Sequence, residues 1–337
     1  MNMGRMLADQ IDRMLRPLDG PARRRAEAEG GLAELWTEVA AIGIETALVP
    51  EDRGGAGMTW RDLGPLLMVL GYHAAPVPLG EAIIGRWALD LLGQDGPLPG
   101  IGLGQVAGEA RATGAVQVPW GAGAAQLVVT LTTPEGDRLA LVDAAGAEVQ
   151  TLKTVGRDPA VRVTLSEAPV LARSGPLGFG LAEAMALLRA AQTAGALSRI
   201  LELSIEYGNT RVQFGRPIGK FQAVQHLVAT LAAEAAAARA AVELALAATD
   251  HGGSWGPVAV AKIRAALAVP RATFAAHETH GAIGVTEEHV LHYFTRRLWQ
   301  WREEAGDEHY WSDRLGRSAL AEGGAELWPR IVALSSG

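Results

Sequence analysis

The chain has 337 residues, a formal net charge of -7 and no cysteine. This length is enough for a large core in roughly two or three domains, and the composition excludes disulfides, thiolate catalysis and cysteine-ligated metal centres. The acidic balance argues against nucleic acid as a partner, and no apolar run approaches the ~20 residues of a membrane span. Acids interrupt the apolar positions of 1–15, which indicates a helix and not a signal peptide. We therefore expect a cytoplasmic protein.

Three segments with different periodicity follow one another along the chain. Residues 1–98 have the apolar spacing of helices, with breaks at Gly20-Pro21 and 54–57. Residues 99–175 carry short β runs separated by turns, and 176–337 return to helices. The β runs are 127–131, 139–142 and 161–165, and the later helices are predicted at 178–212, 219–251, 255–281, 286–304 and 312–333. The pattern predicts a mainly α protein with a small β domain between an N-terminal helical domain and a C-terminal helical bundle.

The most informative stretch is 207–226, YGNTRVQFGRPIGKFQAVQH, which joins two long apolar helices. Arg211 offers a planar fork of donors that suits a phosphate or a pyrophosphate. Gln213 and Gln222 can donate or accept hydrogen bonds, and Phe214 presents a flat ring on which a base could stack. The same residues also fit a plain corner between helices, in which glycines and prolines break the chain and Arg211 pairs with a carboxylate. On spacing alone, that plainer structure is at least as well supported as a nucleotide-binding edge.

A second stretch, 277–297, reads HETHGAIGVTEEHVLHYFTRR and has a small turn before a predicted helix. Thr286 is a good N-cap, and the acids that follow it suit the positive end of a helix dipole. Glycines such as Gly281 let a ligand approach the backbone, and a helix N-terminus attracts an anion such as a pyrophosphate. A tight inter-helix turn with its cap has the same pattern. His289 and His292 lack the acidic partners of a metal site, so we predict no metal.

The two stretches together resemble a known family. The patterns R-x-Q-F-G-x-P-I-x-x-F-Q-x-x-Q-H and H-G-x-I-G-x-T-x-E-H closely resemble the acyl-CoA dehydrogenase flavoproteins, and VPEDRGGAG at 49–57 is similar to that family's P-E-x-x-G-G-x-G turn. The resemblance implies a helical domain, a small β domain and a four-helix C-terminal domain, with FAD bound at a subunit interface. It assigns FAD contacts to Arg211, Gln213, Phe214, Gln222, Glu278, His280, Gly281 and Ala282.

Two parts of the family's active site are missing from this sequence. Relatives carry a T-E-P-x-x-G-S-D type segment that touches the flavin ring, whereas 101–105 leads almost directly into the next segment here. The family also removes the α-proton of an acyl-CoA thioester with a glutamate, while the β-hydrogen leaves as hydride. The resemblance places that base at Ala305 in one branch and at Met185 in the other. Glu304 and Glu183 are one and two residues away, and either is a candidate catalytic residue if a change of helix register brings it inward.

Glu278 is a third departure, because the family usually has Gln before the His-Gly pair. A carboxylate beside a diphosphate is repulsive unless it is protonated or paired, so FAD is held differently here or this half of the site is degenerate. A chain that lacks the flavin-ring contacts and the base but keeps the pyrophosphate contacts resembles the short subunit of a heteromeric acyl-CoA dehydrogenase, of the kind paired in bacterial steroid degradation. The expected partners are a longer subunit in an α2β2 assembly, an acyl-CoA and an electron-transferring flavoprotein.

Other functions fit the same sequence. One is a homomeric acyl-CoA dehydrogenase whose base is Glu304 or Glu183. Another is a non-redox scaffold or acyl-CoA-binding protein on this fold. A flavin-dependent lyase without a base would need a leaving group other than hydride. The heteromeric dehydrogenase subunit ranks first among these hypotheses.

Overall fold

The computed structural model describes residues 3–18, 23, 33–250, 255–329 and 332. The helices before the sheet are α1 (Met3–Leu15), α2 (Ala33–Ala40), α3 (Trp60–Tyr72) and α4 (Leu79–Leu91). The strands are β1 (Gly100–Gly108), β2 (Arg111–Pro119), β3 (Gln126–Thr133), β4 (Gly136–Asp143), β5 (Glu148–Leu152) and β6 (Ala160–Pro176). The helices after the sheet are α5 (Leu181–Thr210), α6 (Gln222–Asp250), α7 (Trp255–His280), α8 (Leu291–Glu303) and α9 (Glu308–Glu322). A short hairpin, β7 (Val212–Gln213) and β8 (Arg216–Pro217), connects α5 to α6.

The predicted order of helices, small sheet and helices is confirmed. The bounds of α5, α6 and α7 differ from the predicted ones by at most three residues. α9 begins earlier than predicted because the Asp307 carboxylate accepts a hydrogen bond from the Tyr310 amide (2.7 Å) and so caps the helix at Glu308. The predicted break at Gly20-Pro21 lies outside the described residues. Among the helices of the described residues, none is long and apolar enough to cross a membrane.

The start of α8 corrects the prediction that Thr286 caps this helix. The Thr286 hydroxyl donates backward to the carbonyl oxygen of Ile283 (2.8 Å) and closes a short 3-10 helix, Gly281–Val285. α8 begins only at Leu291. The N-cap is Val290, and the ring nitrogen Nδ1 of His289, one residue earlier, accepts a hydrogen bond from the Leu291 amide (3.1 Å).

The sheet closes on itself. Its strand order is β2-β1-β3-β4-β6-β5, and β2 also pairs with β6. All paired strands are antiparallel except β1 and β3, which are parallel. The apolar runs of β3, β4 and β6 predict these strands, whereas glycines conceal β1. A Cβ on Gly102 of β1 would lie 2.8 Å from the Val129 side chain, so the close approach of β1 to β3 requires glycine at this position.

One hydrophobic cluster joins the helices before the sheet to the helices after it. Leu63 and Leu67 of α3 and Leu187 of α5 are among its fully or almost fully buried members. The interior of the sheet forms a second cluster, with Val116 and Val129 among its buried residues. Because burial of apolar area is the main favourable term in folding, the two sets of helices stabilise each other across the sequence that separates them.

Two glycines set a close approach of α3 and α5 within the first cluster. A Cβ on Gly71 of α3 would collide with the backbone of Gln192, and a Cβ on Gly195 of α5 would collide with the carbonyl oxygen of Met68. The two helices therefore pack backbone against backbone, which only glycine permits at these positions.

We expect Gly195→Ala to lower the free energy of unfolding by about 1–3 kcal/mol, because the added methyl group forces α3 and α5 apart. The matched control is Gly316→Ala. Gly316 is an exposed glycine of α9, and nothing lies within 4 Å of the position that its Cβ would take, so this change should be neutral or stabilising. Urea unfolding of both variants measures the difference. Equal effects would contradict the backbone contact.

Candidate functional site

The hairpin after α5 presents its tip to solvent. Arg211 leaves the helix, and its amide donates to the carbonyl oxygen of Tyr207 (2.9 Å). Phe214 and Gly215 reverse the chain with positive φ values of 52° and 81°. The left-handed region is uncommon for a residue with a Cβ, and Phe214 is also 92% exposed. The hairpin thus holds an aromatic ring away from the chain's own core.

The predicted FAD contacts on this hairpin share that exposure. Arg211, Gln213 and Gln222 are all exposed. Within the part of the chain that the structure describes, the Arg211 guanidinium forms no ion pair, so the alternative in which it pairs with a carboxylate of this chain gains no support. Arg216 lies 4.3 Å from the centroid of the Phe221 ring and braces the base of the hairpin. The donors and the ring of the hairpin are therefore available to another molecule.

The second predicted segment lies beside the hairpin. The Tyr207 ring, one helical turn before Arg211, stacks on the ring of His280 with centroids 4.8 Å apart. Gly281 follows His280 and has φ 62°, with nothing within 4 Å of its missing Cβ. His280 is buried, whereas Glu278, Gly281 and Ala282 are exposed. The structure therefore brings the two segments together and leaves most of their predicted contact residues at the surface.

A cluster of neutral histidines supports this junction. The rings of His280 and His289 lie with centroids 4.7 Å apart, and Nδ1 of His280 donates to the carbonyl oxygen of Ala276 (2.7 Å). Burial and the nearby rings of His280 and His292 lower the pKa of His289 to about 4. Burial also lowers the pKa of His280. Among the described residues, no group of three or more histidines and acids has the arrangement of a metal site.

A cavity of about 710 Å³ lies between the sheet and the helices that follow it. β1 contributes 102–105 to its wall, and the segment at the end of β5 contributes 152–155. The opposite wall contains the end of α8 and the turn 303–306. This volume lies within the range of about 300–1,000 Å³ that is usual for small-molecule sites.

The connection between β1 and β2 explains why this cavity lacks the family's flavin-ring segment. Gly108 pairs with Ala112, and only Glu109 and Ala110 join the two strands. A connection of this length leaves no place for the T-E-P-x-x-G-S-D type segment. The segment that is missing from the sequence is therefore also missing from the backbone between β1 and β2.

Both positions that the family resemblance assigns to the base hold apolar side chains. Ala305 lies in the cavity wall, in a left-handed turn with φ 58°. Met185 is completely buried in α5, with no exposed surface. Neither side chain can accept a proton.

Glu304 lies in the cavity wall, but both of its oxygens have partners. Oε2 accepts a hydrogen bond from Nε of Arg189 (2.6 Å), and Oε1 accepts one from the Gln300 amide (2.7 Å). Arg189 is itself buried and also pairs with Glu81 (2.8 Å). Burial alone would lower the pKa of Arg189, but the charges of Glu304 and Glu81 raise it, which keeps the guanidinium charged. Removing the Glu304 charge would leave a buried guanidinium partly unpaired, which is costly.

Glu183 has a structural role at the start of α5. One carboxylate oxygen accepts a hydrogen bond from the Gly180 amide (3.0 Å), and the other accepts one from Arg314 (2.6 Å). The described residues that line the cavity include Glu304 but not Glu183. An acid at the N-terminus of a helix of this length also complements the helix dipole.

Lys262 of α7 completes the buried charge network. Its ammonium group donates to the carbonyl oxygens of Trp301 (2.6 Å) and Arg302 (2.8 Å), at the end of α8. Burial lowers the pKa of Lys262 to about 7, although Glu304 opposes the shift. Sequence reasoning missed Lys262, Arg189 and Glu81. Each of these residues is an isolated charge inside an apolar helix, which is a signal that could have identified it. Their pairing could not be predicted, because they lie far apart in the sequence.

Helical layers around a small closed sheet, with a cavity between sheet and helices, define the fold class of the acyl-CoA dehydrogenases. Residues 182–319 match the family model described as acyl-CoA dehydrogenase, C-terminal domain. The acyl-CoA dehydrogenase IpdE2 of Mycolicibacterium smegmatis is 31% identical over 306 residues, which cover 87% of this chain and 91% of that protein. The chain therefore belongs to the acyl-CoA dehydrogenase family of oxidoreductases, as its motifs predict.

Two solved structures extend this similarity. A variant of the Tcur3481-Tcur3483 steroid acyl-CoA dehydrogenase has a TM-score of 0.85 and 28% identity, covering 96% of this chain and 98% of that chain. The ChsE4-ChsE5 complex from Mycobacterium tuberculosis has a TM-score of 0.82 and 26% identity, with the same coverage of 96% and 98%. Both similarities extend over nearly the whole length of each chain.

The depressed pKa of Lys262 predicts a pH dependence of stability. Between about pH 7 and 10.5, the unfolded chain binds a proton at Lys262 that the folded chain does not bind, so the free energy of unfolding rises with pH. Relative to Lys262→Met, the native protein should gain about 1–2 kcal/mol between pH 7 and pH 8.5. Urea unfolding at several pH values measures the slope. The exposed Lys220→Met is the control and should retain the native slope; loss of the slope in this control would contradict the assignment.

Proposed function

We propose that this chain is the complementing subunit of a heteromeric, FAD-dependent acyl-CoA dehydrogenase that introduces an α,β double bond into an acyl-CoA. The observation that carries the proposal is the outward-facing hairpin, in which Phe214 is 92% exposed and Arg211 has no ion-pair partner among the described residues. An exposed aromatic ring beside a guanidinium that pairs with no described residue offers packing surface and hydrogen-bond donors to another molecule. In this proposal, the hairpin completes the FAD site of a longer partner subunit.

The hairpin and the adjoining turn have the donor set that the pyrophosphate and adenosine of FAD require. Arg211 would contact the pyrophosphate, Gln213 and Gln222 would supply hydrogen bonds, and Phe214 would pack on a ring. Gly281 has nothing within 4 Å of its missing Cβ and lets a ligand approach the backbone. His280 and Ala282, on either side of Gly281, complete the proposed FAD contacts. When bound, FAD supplies the acceptor for the hydride that leaves the β-carbon of the acyl group.

The Glu278 side chain affects how these residues would bind the diphosphate of FAD. It is exposed and forms no ion pair with a described residue, and a carboxylate next to a diphosphate is repulsive. We infer that a cation of the partner subunit neutralises Glu278, or that the diphosphate lies closer to Arg211 than in relatives with Gln at this position.

The base that removes the α-proton would come from the partner subunit. Ala305 and Met185 occupy the two positions that the family uses, and neither can take a proton. Glu304 is held by Arg189 and Gln300, and Glu183 caps α5. In both acids each carboxylate oxygen already accepts a hydrogen bond, so neither can approach a substrate proton without breaking contacts that hold the fold.

The similar proteins support the heteromeric assignment. The ChsE4-ChsE5 structure is named as a complex, and the Tcur3481-Tcur3483 protein is named as a steroid acyl-CoA dehydrogenase. By analogy, we propose an α2β2 assembly in the cytoplasm, a bulky acyl-CoA substrate and an electron-transferring flavoprotein as the electron acceptor. Within the chain, 1–98, 99–175 and 176–337 would be the N-terminal helical domain, the shortened β domain and the FAD- and interface-forming bundle.

We expect Arg211→Ala to weaken FAD retention about tenfold or more in the complex with a longer acyl-CoA dehydrogenase subunit, because a charge-assisted contact with the pyrophosphate is lost. The matched control is Arg239→Ala, an exposed arginine of α6 that pairs with Glu243 (2.8 Å). The FAD that remains after dialysis, read from the visible spectrum, measures retention. Equal retention in the native complex and in both variants would argue against the hairpin as a FAD contact.

Glu304→Gln tests whether this chain supplies the base. If the partner supplies it, turnover of an acyl-CoA by the complex should stay within about threefold, since a base is worth roughly 10²–10⁴ in rate. The substitution should instead lower thermal stability, because Arg189 loses a charged partner. Glu303→Gln is the control, since Glu303 is exposed and pairs only with Arg302 in the described contacts. A loss of turnover by two orders of magnitude in Glu304→Gln alone would favour a displaced base in a homomeric enzyme.

A further inference from the structure

Four histidines meet where the end of α5 packs against α7 and the start of α8. The ring of His280, at the end of α7, stacks on Tyr207 of α5 (centroids 4.8 Å apart) and lies beside the ring of His289 (4.7 Å). His277 is one turn earlier on α7, and His292 is in the first turn of α8. We call these four histidines the histidine cluster. It connects three helices at one point.

The hydrogen bonds of two of these rings require the neutral form. Nδ1 of His289 accepts a hydrogen bond from the Leu291 amide (3.1 Å), the first amide of α8, and a ring nitrogen accepts only while it carries no proton. Nδ1 of His280 donates to the carbonyl oxygen of Ala276 (2.7 Å), which leaves the lone pair of this ring on Nε2. Nε2 is buried and forms no hydrogen bond with a described residue. Protonation thus breaks a contact in one ring and charges a buried atom in the other.

No described acid neutralises three of the four histidines. His277, His280 and His289 pair with no carboxylate in the part of the chain that the structure describes. The acids closest to them in the sequence are all exposed, namely Glu206, Glu278, Glu287 and Glu288. A positive charge on one of these rings therefore faces other imidazoles without a described counter-ion.

The neighbouring helices contribute uncharged groups or a further cation. α5 faces the cluster with the carbonyl oxygen of Leu203, and the Thr295 hydroxyl of α8 lies 3.1 Å from Nε2 of His277. Arg23 lies over the ring of Tyr293 (5.2 Å), which itself contacts the cluster. Carbonyl and hydroxyl dipoles compensate a charge only in part, and a second cation opposes it.

We propose that the histidine cluster is an acid-sensitive clasp, which holds the end of α5 against the start of α8 while its rings are neutral and releases the hairpin when they are protonated. The Arg211 amide donates to the carbonyl oxygen of Tyr207 (2.9 Å), so displacement of Tyr207 from His280 displaces the start of the hairpin. The clasp rests on the geometry of the cluster, whereas its effect on FAD rests on the proposed function of the hairpin.

The direction of the pH dependence follows from the lowered pKa values. Burial and the nearby rings of His280 and His292 lower the pKa of His289 to about 4, from 6.5 for an ordinary histidine. Between these values the closed clasp binds fewer protons than the open clasp, so acid favours opening. For His289 alone, opening becomes about twentyfold more favourable between pH 7 and pH 5. Burial lowers the pKa of His277 and His280 as well, which adds to the effect.

Hydrogen exchange of the full chain measures this opening. Exchange is followed by mass spectrometry between pH 7 and pH 5 and corrected for the intrinsic effect of pH on amide exchange. The informative peptides cover 207–221, which contains the hairpin, and 286–296, which contains the start of α8. The reference peptide is 231–246, inside α6.

Two variants remove titrating rings and keep their hydrogen bonds. His289→Asn retains an oxygen that can accept from the Leu291 amide at any pH, and His280→Asn retains a donor for the carbonyl oxygen of Ala276. The matched control is His309→Gln, which removes an exposed histidine of α9. Thermal unfolding at pH 7 verifies that each variant is folded.

We expect exchange of both informative peptides in the native chain to rise at least about twentyfold between pH 7 and pH 5, with no rise in the reference peptide. His309→Gln should respond like the native chain, and the response of His289→Asn should be smaller by about the same factor. If His289→Asn does not fold, His280→Asn provides the same comparison. An equal response of the native chain and the asparagine variant would overturn the proposal. Unchanged exchange down to pH 5, or an equal rise in the reference peptide, would also overturn it.

FAD retention in the complex with a longer acyl-CoA dehydrogenase subunit separates the clasp from the proposed function. Release of FAD at pH 5 from the native complex, but not from the complex that contains His289→Asn, supports both. Acid opening in the isolated chain without loss of FAD from the complex supports the clasp and counts against the hairpin as a FAD contact. Equal release from both complexes counts against the effect of the clasp on FAD.

Discussion

The buried guanidinium of Arg189 is the interaction on which the rest of this structure depends. It joins α5 to Glu81 of α4 and to Glu304 after α8, and thereby ties the helices before the sheet to those after it. A buried charge is tolerated only when it is paired and hydrogen-bonded. Glu304 is therefore held in place by Arg189, and the residue next to it in the cavity wall is an alanine. The pairing that stabilises the fold thus also engages the acid nearest to the family's base position.

The surface at the other end of α5 has the opposite character. The helix ends at Arg211, and the hairpin beyond it exposes an aromatic ring in a left-handed conformation. The stacking of Tyr207 on His280 places the glycine turn beside this hairpin. The buried charge of Arg189 is thus neutralised by Glu81 and Glu304, whereas the side chains of Arg211 and Gln213 have no internal partner among the described residues. A subunit that completes another subunit's site requires this combination of internally paired buried charges and an outward-facing hairpin.

Local patterns predicted much of this structure, and long-range pairing explains what they missed. The apolar periodicity of α5, α6 and α7 predicted these helices to within three residues, and the family motifs predicted the fold. Glycines concealed β1, because its pairing depends on close contact with Val129 and not on its own propensity. The prediction that Thr286 caps α8 was wrong because its hydroxyl donates to the earlier carbonyl oxygen of Ile283 and does not accept from a later amide. The pairing of Glu304 with Arg189 could not be predicted, since no local spacing relates the two residues.

In the proposed assembly, this chain completes a FAD site and does not hold one alone. Native mass spectrometry of the chain by itself and of the chain co-purified with a longer acyl-CoA dehydrogenase subunit counts the FAD molecules directly. We expect no FAD on the isolated chain and one FAD for each pair of unlike chains. An isolated chain that retains FAD and oxidises an acyl-CoA would rule out the complementing role, because its own Glu304 or Glu183 would then have to act as the base.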